Sequence, residues 1–190
     1  MTLLETENLI LRNWHDEDRD LFHEINSDPV VMEYFPFRRD QVQSNQLMEK
    51  LADRIEQNGF GFCAVEPKET GECAGFCGIE EAFIEDVFPA GTIEIGWRLA
   101  PRYWGQAIAT EAGRAWLEFG FKDKGFEEIV SFAVHNNHRS IAVMKRLGMF
   151  HQHDLEFLHP SVPDSHPHLK RHTVYRITKE QWSQNEKRAV

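Results

Sequence analysis

Apolar and polar residues follow two rhythms along this chain, a period of two in short runs and a period near 3.6 in longer ones. "NLILRNW" (8–14) alternates and predicts an opening strand. "HDEDRDLFHEINSDP" (15–29) predicts a helix, with acidic residues in its first turn, Leu21, Phe22 and Ile25 on one face, and Pro29 past its end. "RRDQVQSNQLMEKLADRIEQNG" (38–59) predicts a second helix, with Val42, Leu47, Leu51 and Ile55 as its apolar stripe and Gly59 closing it. Three strands are expected next, "FGFCAVE" (60–66), "CAGFCGIE" (73–80) and "TIEIGWRLA" (92–100), with a hairpin turn at "ETGE" (69–72).

Beyond residue 100 helices and strands alternate. A helix is expected through "GQAIATEAGRAWLEFGFKDKG" (105–125), a strand at "EIVSFAV" (128–134) and a shorter helix at "HRSIAVMKRLG" (138–148) with Gly148 at its C′ position. Two strands near "FHQHDLEF" (150–157) and "RHTVYRIT" (171–178) precede a final helix, "KEQWSQNEKR" (179–188). The sum is an α/β (α+β) fold: one domain over residues 1–190, a mixed and mostly antiparallel sheet of about seven strands, and one βαβ crossover near 92–134.

Composition narrows the function classes. The 190 residues carry a net charge of −10, which argues against nucleic acid as a partner because phosphate binding needs a basic surface. The charge is uneven: residues 1–100 hold 8 Lys/Arg against 21 Asp/Glu, and residues 101–190 hold 13 against 10. One half then suits a cationic substrate and the other tolerates an anionic cofactor; solubility alone is the plainer reading. No apolar run has membrane-span length and the first residues are not signal-like, so a cytoplasmic protein with no membrane partner, monomer or homodimer, is expected. Cys63, Cys73 and Cys77 sit in apolar strands and read as reduced core residues.

The most informative stretch is "RYWGQAIATEA" (102–112). The first N–H groups of a helix lack intrahelical acceptors and lie at the positive end of its dipole, so backbone alone makes an anion site there. Gly105 allows close approach, Ala107 and Ala109 keep the turn thin, and Thr110 adds a hydroxyl. A diphosphate would fit such a site without a metal. Other phosphate motifs fail: "GFKDKGF" (120–126) has Phe126 where a P-loop needs Lys, and no second Gly follows Gly105 in dinucleotide register. HExxH and GxSxG patterns are absent.

Arg102-x-x-Gly105-x-Ala107 after a strand resembles the pyrophosphate loop of the GNAT N-acetyltransferases, which bind acetyl coenzyme A. With "LETENLILRNWHDED", "NNHRSIAVMKRLGM" and "HTVYRITKEQW" the chain is similar, over nearly its whole length, to the branch holding the ribosomal-protein alanine N-acetyltransferases. The resemblance implies two central strands splayed around the thioester, "EIGWRLA" and "EIVSFAV". It implies that the Leu99 backbone holds the acetyl and pantetheine end, and that Gly105, Gln106, Ala107, Ile108, Ala109 and Thr110, with Arg102, form the pyrophosphate loop. Asn137 is implied to bond the pantetheine arm and Ser140 to lie near the sulfur; helix capping is the other reading of this pair. Lys145 or Arg146 either meets the 3′-phosphate or faces solvent.

Acetyl transfer needs an unprotonated amine. Neutralising a Lys side chain of pKa ~10.4 at pH 7 costs about 4.6 kcal/mol, against about 1 kcal/mol for an α-amine near ~7.8. An α-amine therefore asks little of a base, and the expected acceptor is a protein N-terminus, with a small amine as the alternative. Glu94, alternating with Ile93 and Ile95, is the candidate base, and a strand Glu paired to an Arg is the competing reading; Glu80 and Glu81 stand in reserve. A backbone N–H near Leu99 or Ala100 would polarise the carbonyl. Tyr34 and Phe35 of "EYFPF" (33–37) and Trp97 are candidate acceptor contacts, with packing as the alternative. No metal is expected in this chemistry; the histidines 151, 153, 159, 166, 168 and 172 leave a metal-binding module, or a silent acetyl-coenzyme binder, as other classes.

Overall fold

Turn and cap residues decide where each element begins. The computed structural model describes every residue of the chain except Phe83, Glu85 and Val190, and it forms two units, residues 1–80 with 96–115 and residues 81–95 with 116–190.

In the first unit β1 (Thr2–Glu5) and β2 (Leu9–Arg12) pair antiparallel, β2 pairs with β3 (Cys63–Pro67), and β3 with β4 (Gly75–Glu81). The expected opening strand is thus the second arm of a hairpin. The turn expected at 69–72 forms, with the Thr70 and Gly71 N–H groups donating to the Pro67 carbonyl at 3.1 and 2.9 Å. A 3-10 turn over Asp16–Asp18 leads into α1 (Arg19–Ser27), whose Phe22 and Ile25 are wholly buried as expected.

Helix α2 (Gln41–Asn58) starts from a capping box of Asp40 and Gln43 and stops at Gly59, φ +75°. Its buried stripe is Ser44, Met48, Leu51 and Ile55, which corrects the expected one: Val42 is 63% exposed and Leu47 half-buried. Nine residues separate Val42 from Leu51, about two and a half turns at ~3.6 residues per turn, so they lie on opposite sides.

Strand β5 (Ile93–Leu99) runs through both units. Ile93, Ile95 and Leu99 are buried while Glu94, Gly96 and Arg98 between them are half-buried, the expected alternation. In the first unit β4 approaches β5 so closely that a Cβ on Gly75 would stand 2.2 Å from the Arg98 carbonyl oxygen. Helix α3 (Ile108–Lys122) begins three residues later than expected, because Gly105 (φ +77°) and Ala107 (φ +61°) hold left-handed backbone that cannot continue a helix.

In the second unit β5 meets β6 (Glu128–Val134) in parallel through a registered pair, Glu94↔Val130. Strand β5, α3 and β6 complete the expected crossover. Helix α4 (His138–Arg146) follows β6, with Gly148 (φ +75°) beyond its end. The expected strand at 150–157 is broken by a 3-10 turn at His153–Leu155 into β7 (Phe150–His151) and β8 (Phe157–Leu158). Both lie antiparallel on β9 (Arg171–Thr178), which also pairs with β6 along all seven residues of β6 and precedes α5 (Lys179–Ala189). The described strands therefore number nine, mostly antiparallel, in a mixed sheet. Cys63, Cys73 and Cys77 are buried thiols outside any disulfide, and no described helix is long and apolar enough to cross a membrane.

Candidate active site

The expected anion loop is a turn rather than the first turn of a helix. The backbone N–H groups of Gly105, Gln106, Ala107, Ile108 and Ala109, five in succession, have no hydrogen-bond acceptor among the described residues. Gly105, Gln106 and Ala107 are exposed, and a Cβ on Gly105 would meet nothing within 4 Å. Unspent donors beside open space, at the positive end of α3, fit an extended anion such as a pyrophosphate. Thr110 is buried, its N–H bonded to the Ala107 carbonyl at 2.9 Å.

The loop is braced from several sides. The Arg102 guanidinium is ion-paired with Glu24, and the Arg102 carbonyl accepts from Gln106 Nε2 at 2.8 Å. Trp104 Nε1 donates to the Leu99 carbonyl at 2.8 Å, tying the loop to the end of β5. Glu111, in the first turn of α3, accepts from the Thr6 hydroxyl (2.5 Å) and from the Asn8 N–H and Nδ2 (3.0 and 3.1 Å). Burial works against its charge, but those bonds hold the carboxyl below its usual range. The sequence reading missed Glu111; an acidic residue in the first turn was the available signal.

Of the two carbonyl-polarising donors, the Ala100 N–H is committed to the Ala74 carbonyl at 2.9 Å and drops out. The reserve carboxylates are also engaged. Glu80 faces Arg54 at 3.3 Å, with burial raising its pKa against the pull of Arg54, and Glu81 accepts the Gly91 N–H at 2.7 Å.

Arg98, also unremarked in the sequence, dominates the face that its alternation shares with Glu94. Its Nη1 donates to Asn26 Oδ1 at 2.6 Å, and its guanidinium lies 4.4 Å from the centre of the Phe35 ring and 5.3 Å from that of Phe76. Burial, and then the like charge of Arg39, push its pKa down to about 9, so it stays protonated at neutral pH. Phe35 lies against this guanidinium and is 39% exposed to solvent. Tyr34 and Trp97 are half-buried.

In the second unit Asn137 is the N-cap of α4, its Oδ1 accepting from the Ser140 N–H at 3.2 Å. The pair therefore caps the helix, and this leaves Asn137 Nδ2 and the Ser140 hydroxyl as the atoms to offer a ligand. Lys145 and Arg146 are exposed in the last turn of α4. Among the tail histidines, His151, His153 and Glu156 bring one donor atom each within 4.8 Å of the others. Both carboxylate oxygens of Glu156 are already taken, by His151 Nε2 at 3.1 Å and by Arg171 at 2.6 Å.

Comparison with known proteins agrees with this geometry. The acetyltransferase (GNAT) domain model matches residues 8–150. YkkB of Bacillus subtilis (strain 168) is 34% identical over 149 residues, covering 78% of this chain and 85% of YkkB. The N-acetyltransferase YnaD of the same organism is 27% identical over 181 residues, covering 95% and 99%. A crystal structure of a GNAT-family acetyltransferase from Bacillus anthracis superposes with a TM-score of 0.77 at 25% identity, covering 95% of this chain and 99% of that one. The loop, the strand that leads into it and these likenesses place the chain in the GNAT family of N-acetyltransferases, as an acyltransferase.

Proposed function

We propose that residues 1–190 act as one domain that moves an acetyl group from acetyl coenzyme A to a primary amine by direct attack, the acceptor being a protein N-terminal α-amine, in the cytoplasm. The observation that carries the reading is the run of five unspent N–H groups at residues 105–109. Bound acetyl coenzyme A supplies a thioester carbonyl that an amine can attack. Gly105 to Ala109 and Thr110 receive the pyrophosphate, with Arg102 acting through its carbonyl on Gln106. The Leu99 backbone holds the acetyl end, and Asn137 offers Nδ2 to the pantetheine arm.

Glu94 accepts the proton that the amine sheds as its nitrogen bonds to the carbonyl carbon. The carbon–sulfur bond then breaks, and the Ser140 hydroxyl donates a hydrogen bond to the departing sulfur. Tyr34, Phe35 and Trp97 line the acceptor side. No step draws on a metal.

Thiol release across peptides with free α-amines, polyamines and aminoglycosides tests the reading. Peptides are expected to be preferred; a polyamine or aminoglycoside preference makes this a small-amine enzyme. Glu94→Gln is expected to lower turnover about 100-fold or more while leaving the calorimetric affinity for acetyl coenzyme A unchanged. Unchanged turnover across pH removes Glu94 from the mechanism.

A further inference from the structure

Arg98 and Arg39 repel one another, and neither is ion-paired to a carboxylate among the described residues. Half-buried like charges without a counter-ion are costly to hold together, and folded proteins pair them or neutralise them with a ligand. Arg98 spends one donor on the neutral Asn26 oxygen, at 2.6 Å. The Arg39 Nε is buried with no hydrogen-bond partner.

Both cations are held in place. Asn26 is wholly buried, and its Nδ2 donates to the Phe22 carbonyl at 2.7 Å, which fixes Oδ1 toward Arg98. The Asn26 carbonyl accepts the Arg39 backbone N–H at 2.9 Å, which fixes where the Arg39 side chain starts. Phe35 lies against one face of Arg98 and Phe37 lies 4.7 Å from the Arg39 guanidinium. Ring faces satisfy a guanidinium across its plane and leave its in-plane N–H fork unspent. Phe35 and Phe37, 39% and 45% exposed, open this corner to solvent.

We propose that Arg98 and Arg39 seat a carboxylate borne by the amine acceptor, close to the amine that is acetylated. Two planar forks match a planar carboxylate in pairs of parallel hydrogen bonds. Arg98 immediately precedes Leu99, whose backbone is assigned to the acetyl end, so anchor and reaction centre are neighbours on β5. The inference rests on the acetyltransfer reading above and adds the acceptor's chemistry to it.

The test measures thiol release with matched acceptors: alanine against alaninamide, and N-terminal aspartyl against asparaginyl peptides amidated at their C-termini. In at least one pair the carboxylated acceptor is expected to have a kcat/KM at least tenfold higher, mostly through KM. Arg98→Gln, and Arg39→Gln as a milder second variant, should bring the two members of that pair together. Equal use of both members by the native protein overturns the proposal, as does an Arg98→Gln variant that slows both equally. So does loss of affinity in that variant for acetyl coenzyme A but not for its analogue lacking the 3′-phosphate, because the dyad would then hold the donor's phosphate. If no amine releases thiol, the acetyltransfer reading fails, and calorimetric titration with acetate and benzoate decides the seat alone. Heat in the native protein that vanishes in Arg98→Gln supports the seat; absence of heat in the native protein overturns it.

Discussion

Gly105 shows how one residue can serve geometry and charge together. Its φ of +77° is left-handed, and the position of a Cβ there is open space. Gly105→Ala therefore brings backbone strain of about 1–2 kcal/mol and no collision, and acetyl coenzyme A binding should persist, weakened less than about tenfold for strain of that size. Gly105→Glu adds a carboxylate among the unspent N–H groups, and binding should fall below detection. Calorimetric titration of both variants checks this; undiminished affinity in the Glu variant would contradict the placement of the loop. Ala107, at φ +61°, carries similar strain without being glycine. The glycine was legible from the motif. The strain at Ala107 was not, because nothing in the identity of an alanine announces its φ.

At the scale of elements, β2, β3 and the turn before α1 are joined by one buried cation. Arg12 bonds Asp18 and Glu66, each at 2.6 Å, with side-chain exposures of 9%, 4% and 19%. Burial opposes its charge, and the two carboxylates more than restore it. Arg12→Met leaves both carboxylates facing a low-dielectric interior, and should destabilise the fold by about 3–5 kcal/mol, read from the urea midpoint. A loss under about 1 kcal/mol, the range of surface pairs, would mean that water reaches this triad. The alternation of "NLILRNW" announced the strand but not the triad, whose members lie up to 54 positions apart in the chain. Helix α2 teaches the same lesson: its existence followed from periodicity, whereas its buried face followed from what packs on it.

For the whole molecule the informative quantity is the response to acid. His172, 8% exposed, is held down to about pKa 4, first by burial, despite the Lys170 carbonyl 3.0 Å from its Nδ1 and with the like charges of His159 and His135 adding to the depression. The unfolded chain takes up this proton near pH 6.5 and the folded chain only near 4, so stability rises with pH across that window and is lost as pH falls through it. The full loss from this site is about 3 kcal/mol, and His159, also depressed by burial, acts in the same direction. Urea midpoints between pH 7.5 and 4 should fall steeply in the native protein and less in His172→Asn; equal slopes would remove His172 as the cause. Net charge, by contrast, misled about local chemistry. Residues 1–100 carry 8 basic against 21 acidic side chains, yet Arg98 and Arg39 stand there beside Asn26, Phe35 and Phe37 and not beside a carboxylate among the described residues.

The sequence alone settled what depends on neighbours in the chain. The helices, most of the strands, the turn at Gly71, the stop at Gly59, the parallel crossover and the glycine-led entry to α3 all rest on local propensity and spacing, which a short segment expresses by itself. Tertiary structure alone decided which donors stay unspent and which charges meet. The Ala100 N–H was lost to Ala74, Asn137 and Ser140 were joined in a cap, and Arg98 was set beside Arg39, Asn26 and Phe35. Hydrogen bonding, burial and charge coupling act through space between residues that the chain keeps apart, so folding must bring them together before their chemistry can be read.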